Sequence, residues 1–157
     1  MAIQIVRIED DLPEAFADLR AEAAAEGFRH VEQLVRDLAS DSGPFRREGE
    51  GLFAAFVDGE LAGVGAVSRE HLEPALEAMR MRRCYVRARF RRRGVGRALA
   101  SAMIQQGLAG APILTVNAGT PDAPAFWEAM GFEPESRNGR THVMRPAAER
   151  TAQSPSS

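Results

Sequence analysis

The stretch that decides the fold is Arg91-Arg92-Arg93-Gly94-Val95-Gly96, followed by Arg97. Three arginines run into two glycines at a junction. An apolar, β-prone run through Cys84-Tyr85-Val86 ends there, and a helical pattern with Val95, Leu99, Met103 and Ile104 on one face begins. Three sources of positive potential converge at such a junction. Glycine lets the backbone approach a guest closely. The first N–H groups of a helix point outward, unpaired, at the positive end of its dipole. Guanidinium forks match phosphate oxygens. The expected guest is a phosphate or pyrophosphate. Arg80, Arg82, Arg83, Arg87 and Arg89 extend the basic block upstream, yet the net charge of the chain is -2, so the potential is local.

Working outward, residues 80–86 form a strand before the loop and residues 94–107 a helix after it. Further upstream, apolar residues 52–57 and 61–67 flank Asp58-Gly59, a pair suited to the positive φ of a tight hairpin. Residues 70–78 form a polar connection. Ile3, Ile5, Val6 and Ile8 predict a first strand. A first helix follows, capped by Asp10 or Asp11, with Pro13 in its first turn and Gly27 as its breaker. A second helix covers 30–39, ended by Asp41-Ser42-Gly43-Pro44. Downstream, 113–116 is a short buried strand. Thr120-Pro121-Asp122 opens another helix with Thr as its cap, and that helix ends at Gly131. Residues 140–144 make the last strand. Residues 1–146 are expected to form one domain, and 147–157, small and polar, a disordered tail. The order of elements predicts an α/β (α+β layered) fold with a mixed sheet.

Composition narrows the function classes. The chain has 157 residues, 45% hydrophobic and 27% charged, enough for a core without staples. All 20 basic residues are arginine, as a GC-rich bacterial genome favours. With net charge -2, nothing pulls the whole chain toward nucleic acid or an anionic membrane. The single cysteine, Cys84, excludes an internal disulfide framework. No run approaches the length of a membrane span, and the first residues lack the pattern of a signal peptide. The expectation is a soluble cytoplasmic protein. His30, His71 and His142 are scattered without metal-ligand spacing, so no metal site is expected.

Two segments together point to a family. Arg-x-x-Gly-x-Gly after a strand ending in Tyr85-Val86 resembles the acetyl-CoA signature of the GNAT (GCN5-related) N-acetyltransferase superfamily. Ala125-Phe126-Trp127-Glu128-Ala129-Met130-Gly131-Phe132 resembles that family's late helix and its Gly-Phe end, and Leu114-Thr115-Val116-Asn117 the strand before it. The likeness covers roughly residues 3–145. It implies a mostly antiparallel sheet of about six or seven strands, helices on both faces, and a splay between strands four and five. It implies acetyl-CoA as cofactor and acetyl transfer to a primary amine of a small molecule or peptide by direct attack. Cys84, Tyr85 and Val86 would pair with the pantetheine arm, and the Val86 N–H would polarise the thioester carbonyl. Arg91, Arg92, Arg93, Gly94, Val95, Gly96 and Arg97 would surround the pyrophosphate. Asn117 and Thr120 would lie near the far end of the acyl chain. Homodimers are common in the family.

Two positions depart from that pattern. Where many members carry a tyrosine that protonates the leaving thiolate, this chain has Trp127, whose indole cannot serve. Where many carry a glutamate base early in strand four, it has Arg80. Neither a general acid nor a general base is identified, and catalysis would rest on positioning and carbonyl polarisation. His142 or Glu77 could stand in as base; each also reads as structural or solvent-exposed. Tyr85 is expected to face the opposite side of the sheet, and Cys84 to be a small buried hydrophobe. Arg87 and Arg89 read as surface charges beside acids. Arg80 and Arg82 alternate on one face of a central strand. They either pair with acids such as Glu77 or line the acceptor pocket, where they would suit an anionic acceptor. Trp127 packs or walls that pocket; Asn117 caps a strand or touches substrate. A non-catalytic acyl-CoA-binding module and an RNA-binding protein are the competing readings.

Overall fold

The computed structural model describes residues 1–9, 11–40, 45–72, 76–137 and 139–146, without the side chains of 71, 72 and 76. One seven-stranded sheet organises the chain. In chain order the elements are β1 (Ile3–Arg7), α1 (Phe16–Ala25), α2 (His30–Ala39), β2 (Gly51–Val57), β3 (Glu60–Leu72), β4 (Leu76–Val86), α3 (Val95–Gly110), β5 (Ile113–Val116), α4 (Ala123–Ala129), β6 (Glu133–Arg137) and β7 (Arg140–Met144). A 3-10 turn, Ala88–Phe90, stands between β4 and α3. The strand order is β1-β2-β3-β4-β5-β7-β6. Every pairing is antiparallel except the parallel β4–β5 pair.

Strand alternation gives each face its own core. On one face Phe53, Val67, Met79, Met81, Leu114 and Val116 pack against Val95, Leu99 and Met103 of α3. On the other, Ala54, Val64, Ala66 and Tyr85 pack against Phe16 and Leu19 of α1 and Val31 and Leu34 of α2. Fully burying each of these larger aliphatic side chains stabilises the fold by roughly 1.5–3 kcal/mol. Contact between α3 and the sheet is close at Gly65, where a Cβ would lie 2.5 Å from the Met103 sulfur. Among the described residues no helix is long and apolar enough to cross a membrane.

The Asp58-Gly59 hairpin forms as expected, with φ of +48° and +86°. Three expectations are corrected. Residues 70–78 are not simply a connection, because β3 and β4 continue pairing from Ser68↔Arg80 to Leu72↔Leu76. Met79 and Met81 are buried on the α3 face. On the other face Arg80 pairs with Glu70 and Arg82 with Ser68 across the ladder, as cross-strand pairs do. Helix α1 begins at Phe16 behind Ala15 with no side-chain cap, so Asp11 does not cap it; Asp10 lies outside the described residues. Helix α4 begins at Ala123 behind Asp122, again without a side-chain cap, and Thr120 contributes its carbonyl, accepting from the Ala123 N–H at 3.1 Å. Strand β6 is an addition: Glu133-Pro134-Glu135-Ser136-Arg137 has no apolar alternation and forms by pairing with β7. The Asp41–Pro44 breaker and the 147–157 tail lie outside the described residues.

The splay lies between β4 and β5. These strands pair only from Ala78↔Ile113 to Met81↔Val116, while β4 runs on to Val86. Just past the last paired residue, Val64↔Tyr85 and Ala66↔Arg82 leave Arg83 and Cys84 opposite Gly65 alone, which is a β-bulge. Arg83 adopts φ +56°, and its Nε donates to Asp37 Oδ2 of α2 at 3.0 Å. The bulge bends the end of β4 away from β5, leaving one edge of the strand without a neighbour among the described strands.

Candidate active site

A cavity of about 790 Å³ occupies this gap. Its floor is Cys84, Tyr85 and Val86 of β4. One side is the loop into α3, through Arg91, Arg92, Gly94, Gly96 and Arg97; the far side is Thr120–Ala123 with Phe126 and Trp127. Phe28 and His30, at the α1–α2 corner, close the remaining side.

The floor presents its backbone. The Arg87 N–H donates to the Ala62 carbonyl of β3 at 2.8 Å. Because alternate residues of a strand direct their N–H groups to opposite edges, the Val86 N–H points into the gap. The loop reaches α3 through two left-handed residues, Arg92 at φ +63° and Gly94 at φ +83°. The first helical bond at this end is from the Ala98 N–H to the Gly94 carbonyl, at 3.0 Å. The N–H groups just before Ala98 therefore belong to the open first turn of a 16-residue helix. Arg92, Arg93 and Arg97 are exposed and carry no ion pair among the described residues. An anion fits here: open donors, free guanidinium groups and, at Gly96, nothing closer than 3.5 Å to an added Cβ.

The basic stretch is not uniform. Arg91 holds Glu26 with both prongs, Nη1 to Oε2 and Nη2 to Oε1 at 2.8 Å each, and its Nε donates to the Val86 carbonyl at 2.8 Å. Tyr85 donates its hydroxyl to the same Glu26 carboxylate. Hydrogen bonding from Arg91 holds the Glu26 carboxyl below the usual range; burial opposes this and Tyr85 reinforces it. The Tyr85 phenol is pushed up, mainly by burial and then by Glu26. Its ring lies among the α1–α2 core residues, on the face opposite α3.

Other candidates are placed elsewhere. Arg80 pairs with Glu70, whose Oε2 accepts from Thr115 Oγ1 at 2.6 Å, and Arg82 Nε donates to Ser68 Oγ. Both arginines stand outside the cavity lining. Glu77 instead pairs with Arg69, at 3.3 Å. Burial, then repulsion from Arg80, lowers the Arg82 pKa. Arg87 is buried rather than a surface charge, pairing with Glu22 and donating to the Leu61 carbonyl at 2.8 Å. Val95 is in the core; Asn117 is exposed and, like Arg93, outside the lining. Thr120 lines the cavity. Trp127 is buried, set edge-on to Phe126 and Phe132 with centroids 5.0 and 5.4 Å apart, and borders the cavity. Burial pushes the Cys84 thiol up to about 12. His142 is buried between Glu128 and Thr141, at 2.8 Å to each, outside the lining.

Sequence reasoning missed the α1–α2 corner. Phe28 follows the helix breaker Gly27, and His30 begins α2. The one signal was two rings spaced two apart at a helix junction. Burial lowers the His30 pKa, followed by opposing effects of the Cys84 backbone and Arg83, so the ring is neutral at pH 7. Its Nε2 is buried with no hydrogen-bond partner.

Comparison with known proteins agrees with this architecture. The family model described as acetyltransferase (GNAT) family matches residues 10–132. No curated protein matches in sequence. Among solved structures, a candidate acetyltransferase from Exiguobacterium sp. 255-15 superposes with a TM-score of 0.82 at 24% identity, over 98% of this chain and 100% of that one. Glucosamine-6-phosphate N-acetyltransferase from Arabidopsis thaliana gives 0.60 at 15% identity, over 88% and 96%. An acetyltransferase of the GNAT family from Staphylococcus aureus Mu50 gives 0.64 at 14%, over 90% and 96%.

Proposed function

Because this chain belongs to the GNAT acetyltransferase family, we propose that it is an acetyl-CoA-dependent N-acetyltransferase whose acceptor is a primary amine of a small molecule or peptide, with residues 1–146 as the working unit. The observation that carries the reading is the edge of β4 that no described strand covers, ending at Val86 beside the open first turn of α3. Acetyl-CoA supplies an activated acetyl thioester, which the amine attacks directly. The N–H groups of Gly94, Val95 and Gly96, with Arg92 and Arg97, hold the pyrophosphate. Backbone groups of Cys84 and Val86 bind the pantetheine arm as an added strand would. The Val86 N–H lies where it can stabilise charge developing on the carbonyl oxygen.

Proton transfer has little help from the protein. Trp127 offers an indole, and the Cys84 thiol holds its proton up to about 12. Neither suits donation to a departing thiolate. Rate enhancement then comes from orientation and from the fixed Val86 dipole; such effects supply on the order of 7–11 kcal/mol and about 2.7–4 kcal/mol in favourable systems. The test is thiol release from acetyl-CoA across an amine panel, alongside calorimetric titration with CoA. Saturable turnover with amine and tight CoA binding are expected. CoA binding without turnover would leave only a binding module; no CoA binding would sink the reading.

A further inference from the structure

Resting on the acetyl-transfer reading above, we propose that the acceptor amine carries an aromatic group, which seats against Phe28, His30 and Tyr85. These three rings, from the α1–α2 corner and β4, meet one another at the cavity wall. Their centroids are 5.4 Å apart for Phe28–His30, 5.7 Å for Phe28–Tyr85 and 6.0 Å for His30–Tyr85. Tyr85 is buried, while Phe28 and His30 are half-buried, so part of two rings faces the cavity. Tilted and edge-on arrangements at this spacing are the ones aromatic groups adopt with one another, and a fourth ring extends the cluster at little cost.

The charges around the rings exclude the other common acceptor classes. A polyamine or aminoglycoside needs several unpaired carboxylates, one for each of its ammonium groups. Among the described residues Asp122 is the one acid lining the cavity, and it stands at the start of α4. Glu26, beside the rings, has both oxygens held by Arg91 and accepts from Tyr85 as well. An amine bearing a carboxylate or phosphate needs a free guanidinium, and the two free ones lining the cavity, Arg92 and Arg97, are taken by the pyrophosphate in the reading above. Arg91 lies 5.9 Å from the Phe28 centroid and 5.5 Å from that of Tyr85, but its prongs are turned to Glu26. Arg80 and Arg82, which would have served an anion, lie outside the cavity lining. Burial keeps the His30 ring neutral, so it adds no charge to repel an approaching amine. What remains is a flat, apolar, charge-balanced wall beside the Val86 N–H.

The experiment uses the full chain with acetyl-CoA and phenethylamine, n-butylamine, spermidine, glucosamine and glutamate as acceptors. Phenethylamine should exceed n-butylamine in kcat/KM by about tenfold, the upper end of what an aromatic contact contributes. Phe28→Ala should remove that preference while leaving CoA affinity unchanged, and Phe28→Leu, which retains apolar bulk, should retain part of it. Preference for spermidine, glucosamine or glutamate would overturn the proposal. So would a Phe28→Ala protein, folded by its melting curve, that still prefers phenethylamine, or competition between phenethylamine and CoA. If no amine is turned over, acetyl transfer fails on its own, and the seat is judged by binding. Trp127, the single tryptophan, borders the cavity and reports occupancy by its fluorescence. Phenethylamine binding lost in Phe28→Ala upholds the seat; absence of such binding refutes it.

Discussion

The two long walls of the cavity are made of different material. The wall at α3 is backbone and free charge: a strand edge, an open helix turn and the unpaired Arg92 and Arg97. The wall at the α1–α2 corner is side chain: three rings and a closed Arg91–Glu26–Tyr85 network. Arg91 and Arg92 are adjacent in the loop into α3, yet the Arg91 side chain is engaged at the α1–α2 corner and that of Arg92 is left free. Donors that meet a guest must be left unsatisfied by the fold, whereas groups that hold a wall in place must be satisfied by it. The arginine stretch divides along that line.

The division can be broken experimentally, beginning with the largest effect. Arg80→Ala strips its partner from a mostly buried Glu70 in neither wall, and should cost about 3 kcal/mol in urea unfolding. Acceptor KM should not move; a raised KM would return Arg80 to the pocket. Gly94→Val places a β-branched side chain at φ +83°. About 1–3 kcal/mol of backbone strain is expected at the loop, and calorimetry should show CoA affinity down roughly tenfold or more. Unaltered affinity would mean that the open turn is not the anion site.

Smaller effects sharpen the contrast between neighbours. Arg92→Ala with Arg97→Ala should weaken CoA binding and reduce its salt dependence, while Arg91→Ala should leave CoA affinity nearly intact and raise acceptor KM. Reversal of that pattern in a titration series would assign Arg91 to the phosphate. The smallest effect concerns His30, whose folded pKa lies below its ordinary 6.5 because burial disfavours the charged ring. Its contribution to stability is present above about pH 6.5 and is lost as pH falls toward the folded value, since the unfolded chain then binds more protons. The His30→Asn variant should show a flatter decline in unfolding free energy across that acidic range; an identical slope would dismiss the effect.

Local rules made much of this architecture legible. The Arg-Gly loop, the Asp58-Gly59 hairpin, α2 and β5 each depend on residues within a few positions, through positive φ, apolar periodicity or helix breaking. Longer-range pairing was hidden. The continued β3–β4 ladder depends on polar residues meeting opposite one another, and β6 on β7 being present to pair with it. Arg87 reads as a surface charge until the Leu61 carbonyl and Glu22 are brought to it.

From the sequence alone, then, follow the Arg-Gly loop at a strand–helix junction, the order along the chain of every strand but β6, and the presence of Trp127 and Arg80 where the family resemblance implies tyrosine and glutamate. Those are properties of neighbouring residues and their types. Tertiary structure decided which arginines remain free, where Val86 directs its N–H, and that Phe28, His30 and Tyr85 form one wall. Each of these depends on groups distant in sequence competing for the same partners or the same space, and only the packed sheet with its helices settles that competition.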